Sequence, residues 1–222
     1  MTPPSAGNTY IIYYNIMEKN SFENNFRTCL IKSPVKGRVI LASNSPRRRE
    51  LLAMIVPEFT VDVPDNVREV YPPDTPVEEV PIFLSRLKSQ AYRGALDDGD
   101  VIISADTVVI VDGLILGKAP DAETARCMLR LLSGRTHSVI TGVTLRTGTQ
   151  IQSFSSHTRV TFASLSDDEI DSYILAYKPF DKAGAYGIQE WIGAAAISRI
   201  DGSFYNVMGL PVHLLYRHLR AL

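Results

Sequence analysis

The sequence predicts an α/β (or α+β) fold with a mixed central sheet, and three observations carry that reading. β-Branched apolar runs such as "VIISADTVVIV" (101–111) are interspersed with stretches whose apolar residues recur at helical spacing. Several of those stretches open on a residue able to cap a helix: Ser45, Asp121 and Ser166. Turn signals at Asp112-Gly113 and Thr147-Gly148 fold long runs back on themselves as hairpins. Strands and helices thus mix in an irregular order, which calls for a mixed sheet.

Taken in order, "RVILAS" (38–43) is a short buried strand. Ser45 caps a helix whose first residue is Pro46, where a missing N–H costs nothing, and which stops before Pro57. Thr75 and Glu78 have the spacing of a capping box ahead of Val77, Val80, Leu84, Leu87 and Ala91; Pro81 inside that pattern predicts a kink or a late start. The strand over 101–113 turns at Asp112-Gly113 into "LILGK". Asp121 caps a helix bearing Ala125, Met128, Leu129 and Leu132, which Gly134 ends. Two long strands follow, around Thr147-Gly148. Ser166 and Glu169 form a second capping box before Ile170, Tyr173, Ile174 and Tyr177. "AAAISRI" (194–200) reads as a strand, and a last helix starts near Pro211.

Composition narrows the function classes. The chain has 222 residues, 45% hydrophobic and 21% charged, with a net charge of −1. That length buries a core without disulfides or a structural metal. Only two cysteines are present, Cys29 and Cys127, so a zinc site or disulfide framework is not expected, and a reducing, cytoplasmic setting is. The near-neutral balance argues against stable nucleic-acid or membrane partners, both of which call for a basic excess. No apolar run approaches the ~20 residues that cross a bilayer. Residues 1–37 are polar and Asn-rich apart from "YIIYYNIM", which lacks a basic n-region. They read as an accessory or poorly ordered extension to a domain over 38–222.

Against that balance, "SPRRRELL" (45–52) puts three arginines at a strand-to-helix junction. A helix N-terminus already favours an anion, and cations there are costly unless one arrives. Successive helical residues point about 100° apart, so at most two of Arg47, Arg48 and Arg49 face one phosphate. Ser43 and Ser45 add hydroxyl donors. Asp106 interrupts an apolar strand and is expensive to bury unless it meets a cation or a donor. Lys118, beyond the hairpin, returns near "ADT" as a point charge for a phosphate oxygen. In "DKAGAYGIQ" (181–189), Gly184 and Gly187 allow close backbone approach or positive φ. Gln189 offers the paired donor and acceptor of a uracil or thymine edge, although an amide can flip and needs a second, fixed group to enforce the choice. Each feature alone also fits a structural role.

Together, "LASNSPRRRELL", "SADTVVIVDGLILGKAPD", "ARCMLRLLSGRTHSVITGV", "DKAGAYGIQ" and "DGSFYNVMGLP" resemble the Maf family of nucleoside triphosphate pyrophosphatases, from about Arg38 to the C-terminus. The resemblance implies an elongated mixed sheet flanked by helices, two lobes around a cleft, and an architecture similar to inosine-triphosphate pyrophosphatases. It implies a homodimer and hydrolysis of a pyrimidine nucleoside triphosphate to the monophosphate and pyrophosphate, with a divalent cation (Mg²⁺, Mn²⁺ or Co²⁺). Arg47, Thr107 and Gln189 match the residues that mark the dTTP and UTP subgroup. Asp106 matches the proton acceptor, Lys118 the motif lysine, and Glu69 an acidic position that completes the metal or water site with Asp106. Arg48, Lys118, Ser43 and the helix N-terminus are expected to hold the triphosphate, with Arg47, Thr107 and Gln189 as further substrate-binding residues. The pattern departs at a "KA" pair on the second helix, where this chain has Gln90. Lys88 is carried as a substrate-binding residue, but lies about 200° round the helix from Gln90 and is expected to need a local shift to replace it. The alternative to an enzyme is a non-catalytic nucleotide-sensing regulator of division.

Overall fold

The computed structural model describes residues 33–65 and 67–222. Of the expected extension over 1–37, the part up to residue 32, with Cys29 and "YIIYYNIM" in it, lies outside the described residues; Gly37 N–H donates to the Gly99 carbonyl at 3.1 Å. The elements are β1 (Val39–Leu41), α1 (Pro46–Ala53), β2 (Thr60–Val61), α2 (Val80–Ala91), β3 (Val101–Val111), β4 (Leu114–Leu116), α3 (Ala122–Leu132), β5 (Thr136–Arg146), β6 (Ile151–Phe162), α4 (Asp167–Tyr177), α5 (Trp191–Ala196), β7 (Ile197–Asp201), α6 (Phe204–Met208) and α7 (Val212–Leu219).

One seven-stranded sheet runs β2-β1-β3-β5-β6-β7, with β4 also paired to β3. β2, β1 and β3 are parallel, and the remaining pairs are antiparallel. The mixed sheet is therefore as expected, and it is elongated. β3 has 11 residues, about 36 Å at the usual rise. Side chains alternate between faces, and one face of β3 serves two cores. Val101, Ile103 and Ala105 pack with Leu51 and Leu52 of α1 and Leu215 of α7. Val109 and Val111 pack with Leu129 of α3, Tyr173 of α4 and Ile192 of α5. Thr107 sits between the two, where the lobes part. On the other face, Val108 and Ile110 meet Val80 and Leu84 of α2.

Pairing along β3 opens the cleft. β5 covers one edge from Ile102 to Ile110. On the opposite edge β1 pairs only Val101–Ile103 and β4 only Val109–Val111. Between them, among the described residues, no strand covers the edge at 104–108. The notch lies past the carboxyl end of β1, where open α/β sheets place ligands.

Most local signals hold. Ser45 accepts from Arg48 N–H, Asp121 from Thr124 N–H, and the Ser166/Glu169 capping box is complete. Asp112 and Gly113 take positive φ at the β3–β4 turn, and Gly134 does so after α3. Two expectations are corrected. The Thr75/Glu78 box does not form: α2 starts at Val80 with Pro81 in its first turn, the late start Pro81 allowed for. A helix from 75 would have buried Pro81 in its interior, where it removes a hydrogen bond. "AAAISRI" is a strand only from Ile197, because its three alanines, strong helix formers, finish α5.

Candidate functional site

The arginine corner is built by α1. Its capped start leaves the three side chains diverging as helical geometry requires. Arg47, at the cleft wall, donates to Asp181 Oδ2 at 2.8 Å. Arg48 turns inward: Nε donates to the Gly209 carbonyl at 2.9 Å, and its terminal nitrogens to Thr107 Oγ1 at 3.1 Å and Ser43 Oγ at 3.3 Å. Desolvation lowers its pKa, with the Asp106 carboxylate opposing and Arg47 adding to the effect. Arg49 is exposed and donates to the Asn44 carbonyl. Thr107 also shares a hydrogen bond with Thr141, which donates to the Asn206 carbonyl, so α6 is tied to the sheet beneath the corner.

Asp106 points to the opposite face of β3 from Thr107, towards α2. Lys88 Nζ donates to Asp106 Oδ1 at 2.5 Å and lies 3.2 Å from Glu69 Oε1. The ammonium therefore bridges the two carboxylates expected to hold a cation. This corrects the expectation about α2: Lys88 reaches the site without any shift, while Gln90 is exposed on another face. Close packing makes it possible. Gly142 is the register partner of Asp106, and a Cβ there would lie 2.4 Å from Ile82 N. The first turn of α2 thus rests on bare backbone, and Lys88 follows about two turns later.

A divalent cation fits this donor set. Asp106 and Glu69 already converge on one positive charge. Among the described residues no group of three or more acidic, His or Cys side chains assembles. Two carboxylates with remaining positions for water and phosphate oxygens suit an oxygen-ligated divalent cation, not a closed zinc cage.

The third wall is the segment over 181–190. Gly184 N–H donates to the Leu116 and Gly117 carbonyls, and Ala183 bridges Lys118, so the segment is stitched to the end of the β3–β4 hairpin. Gly184 has φ +68° against Val109. Tyr186 is buried and hydrogen-bonds His137 Nε2 at 2.8 Å, which makes His137 a packing residue. Gln189 is exposed at the cleft.

Ser43, Arg47, Arg48, Glu69, Lys88, Asp106, Thr107, Lys118 and Gln189 all line this one cleft, of about 890 Å³. A second hollow of about 620 Å³, between α3 and α4, contains none of them. Sequence reasoning assigned no role to Asp181, which accepts from Arg47, to Gly209, which accepts from Arg48, or to Lys182 and Glu190, which continue the ion-pair chain from Asp181. The only signal for them was their inclusion in the quoted "DKAGAYGIQ" and "DGSFYNVMGLP" stretches or, for Glu190, adjacency to one.

A carboxyl-end cleft with a capped arginine corner, a lysine and two convergent carboxylates defines an α/β nucleotide-phosphate-binding site. The comparisons agree: a family profile described as Maf-like protein matches residues 38–222, and the chain belongs to that family. It is 54% identical over 187 residues to a dTTP/UTP pyrophosphatase of Porphyromonas gingivalis, covering 83% of this chain and 94% of that protein. To the dTTP/UTP pyrophosphatase of Phocaeicola vulgatus it is 49% identical over 193 residues, covering 87% of this chain and all of the other. Among solved structures, it matches the Staphylococcus aureus Ham1 protein with 17% identity and a TM-score of 0.48, over 83% of this chain and 99% of that one.

Proposed function

We propose that the protein is a nucleoside triphosphate pyrophosphatase that converts dTTP and UTP to the monophosphate and pyrophosphate. The observation that carries this reading is the Glu69–Lys88–Asp106 cluster facing the arginine corner across one cleft. The names of its relatives support the substrate. Arg47, Lys118, Ser43 and the α1 N-terminus bind the triphosphate. Arg48, expected to hold the triphosphate directly, has its guanidinium engaged by Gly209, Ser43 and Thr107, so it braces that corner from beneath and adds its charge. Gln189 pairs with O4 and N3–H of the pyrimidine. Asp106 accepts a proton from the water whose oxygen attacks the α-phosphorus, and the bond from that phosphorus to the bridging oxygen breaks. Asp106 and Glu69 would hold the divalent cation, which when bound supplies charge neutralisation for the departing pyrophosphate. Positioning and charge neutralisation are most of what phosphoryl transfer requires.

The same reading places the protein in the cytoplasm, in removal of excess or non-standard pyrimidine nucleotides. No described helix is long and apolar enough to cross a membrane. A homodimer is part of the proposal; the exposed edge strand β7, with Ile200 on it and Phe204 and Tyr205 just after, is a surface available for it. A sensing protein without turnover would be favoured by the absence of a lysine from α2 at the site, and Lys88 beside Asp106 is such a lysine.

The test is pyrophosphate release from a panel of nucleoside triphosphates, with Mg²⁺ and with EDTA, on wild type and Asp106→Asn. Metal-dependent release led by dTTP or UTP is expected, with a loss on the order of 10²–10⁴ in the variant. Near-normal turnover by Asp106→Asn refutes the base assignment. Equal activity on CTP and UTP refutes the role of Gln189.

A further inference from the structure

The turn that carries Gln189 is held by groups with no part in the chemistry above. Glu190 is the next residue, and its side chain is only 15% exposed. Both of its carboxylate oxygens are engaged. Oε2 accepts from the Tyr173 hydroxyl, and Oε1 lies 3.1 Å from Lys182 Nζ. Tyr173 is 1% exposed, and its hydroxyl oxygen accepts the Gly187 N–H at 3.0 Å. The Glu190 N–H returns to the Gly187 carbonyl at 3.0 Å. These bonds close a ring around residues 187–190. Gly187 leaves the room for it, since a Cβ there would lie 2.7 Å from the Glu190 carboxyl carbon.

The ring has a second attachment. Lys182 Nζ also bonds Asp181 Oδ1 at 2.8 Å, and Asp181 Oδ2 accepts from Arg47 at 2.8 Å. Arg47, Asp181, Lys182 and Glu190 form an unbroken chain of alternating charge, from the arginine corner to the turn beneath Gln189. Burial, with Glu190 beside it, pushes the Tyr173 hydroxyl's pKa up, so it remains a donor to the carboxylate. At its Tyr173, Glu190 and Lys182 end the network is largely buried, and a broken bond there would leave a costly unpaired group, which favours one geometry.

We propose that Glu190 is the positioning residue for base selection: through Tyr173 and Lys182 it sets the turn that presents Gln189 to the pyrimidine. An amide that can flip needs a second, fixed group to separate a uracil edge from a cytosine edge, and the backbone of a turn held in one geometry beside it can be that group. The inference rests on the proposed pyrimidine reading of the cleft. Sub-ångström to 1 Å misplacement of a binding group is enough to cost one to two orders of magnitude.

The experiment compares wild type, Glu190→Gln and Tyr173→Phe by kcat/KM for UTP and for CTP, and by the inhibition constant of tripolyphosphate, which has no base. Thermal unfolding of each variant reports whether the fold persists. Glu190→Gln keeps the shape but not the charge facing Lys182. Tyr173→Phe keeps the buried ring but loses the hydroxyl, and serves if Glu190→Gln does not fold. Each variant is expected to lower the UTP-to-CTP ratio by about tenfold or more, mainly through KM for UTP, with tripolyphosphate inhibition within roughly threefold of wild type. An unchanged ratio in a selective enzyme overturns this inference alone, as does an equal loss for UTP, CTP and tripolyphosphate. A wild type without pyrimidine preference overturns the functional reading, and this inference with it.

Discussion

Lys88 Nζ stands 2.5 Å from Asp106 Oδ1, and Glu69 shares the same ammonium at 3.2 Å. The residue of α2 that faces Asp106 is therefore 88, not 90. Lys88→Gln removes a cation aimed at the reacting groups and is expected to lower kcat/KM by on the order of 10². Gln90→Ala, on the exposed face, should leave it within about twofold, as surface substitutions generally do. Steady-state kinetics on the two variants distinguish these positions.

Gly142→Ala tests how α2 is seated. The added methyl meets the backbone of Pro81 and Ile82 at 2.4 Å, so helix and sheet must separate. Overpacking of this kind costs typically about 1–3 kcal/mol, and backbone on both sides puts this case at the upper end. Urea denaturation measures it. Because the displaced helix carries Lys88, the variant should also lose activity at temperatures where it is fully folded.

Arg48→Lys cannot reproduce the fork that reaches Gly209, Thr107 and Ser43 together. Leaving such half-buried partners unmet should destabilise the fold by about 1–3 kcal/mol. Arg49→Lys, whose side chain is exposed, should stay within about 0.5 kcal/mol of wild type. Parallel chemical denaturation of both variants checks the contrast.

Acid sensitivity should trace to His137. Burial beneath Tyr186 lowers its pKa from 6.5 to about 4. Between those values the unfolded chain binds a proton that the folded chain refuses, so stability is complete above pH 6.5 and falls as pH drops towards 4. The full loss is on the order of 3 kcal/mol. His137→Gln, which keeps a partner for Tyr186 but does not titrate, should flatten that slope in denaturation curves between pH 7 and 4.5. A further loss below pH 3.8 is expected from Asp100, held at about 2 by its hydrogen bonds to Arg38.

What could be read in advance follows a physical division. Caps, the Asp112-Gly113 turn and the long strands depend on neighbours in sequence, and Ser45, Asp121 and Ser166 behave as their residue types dictate. The divergence of Arg47, Arg48 and Arg49 followed from helix geometry alone. Lys88 needs no shift because it, and not Gln90, lies on the face of α2 that meets the sheet, and that face is set by packing on Gly142, which no local sequence signal reveals. Glu190 and Asp181 gave no local signal. Their roles arise from partners at a distance along the chain, Tyr173 and Arg47, which only the folded topology brings near.

One consequence of the site's placement on β3 concerns folding. Asp106 and Thr107 are adjacent residues serving opposite faces, one meeting Lys88 and the other Arg48. A slip of one residue in the pairing of β3 with β5 would exchange them, setting a carboxylate against the arginine corner and a hydroxyl against Lys88. Collapsed but misaligned chains would carry every required side chain and still be inert. Recovery of turnover after dilution from denaturant is therefore a clock for strand alignment, and it should lag behind any signal that reports compaction alone.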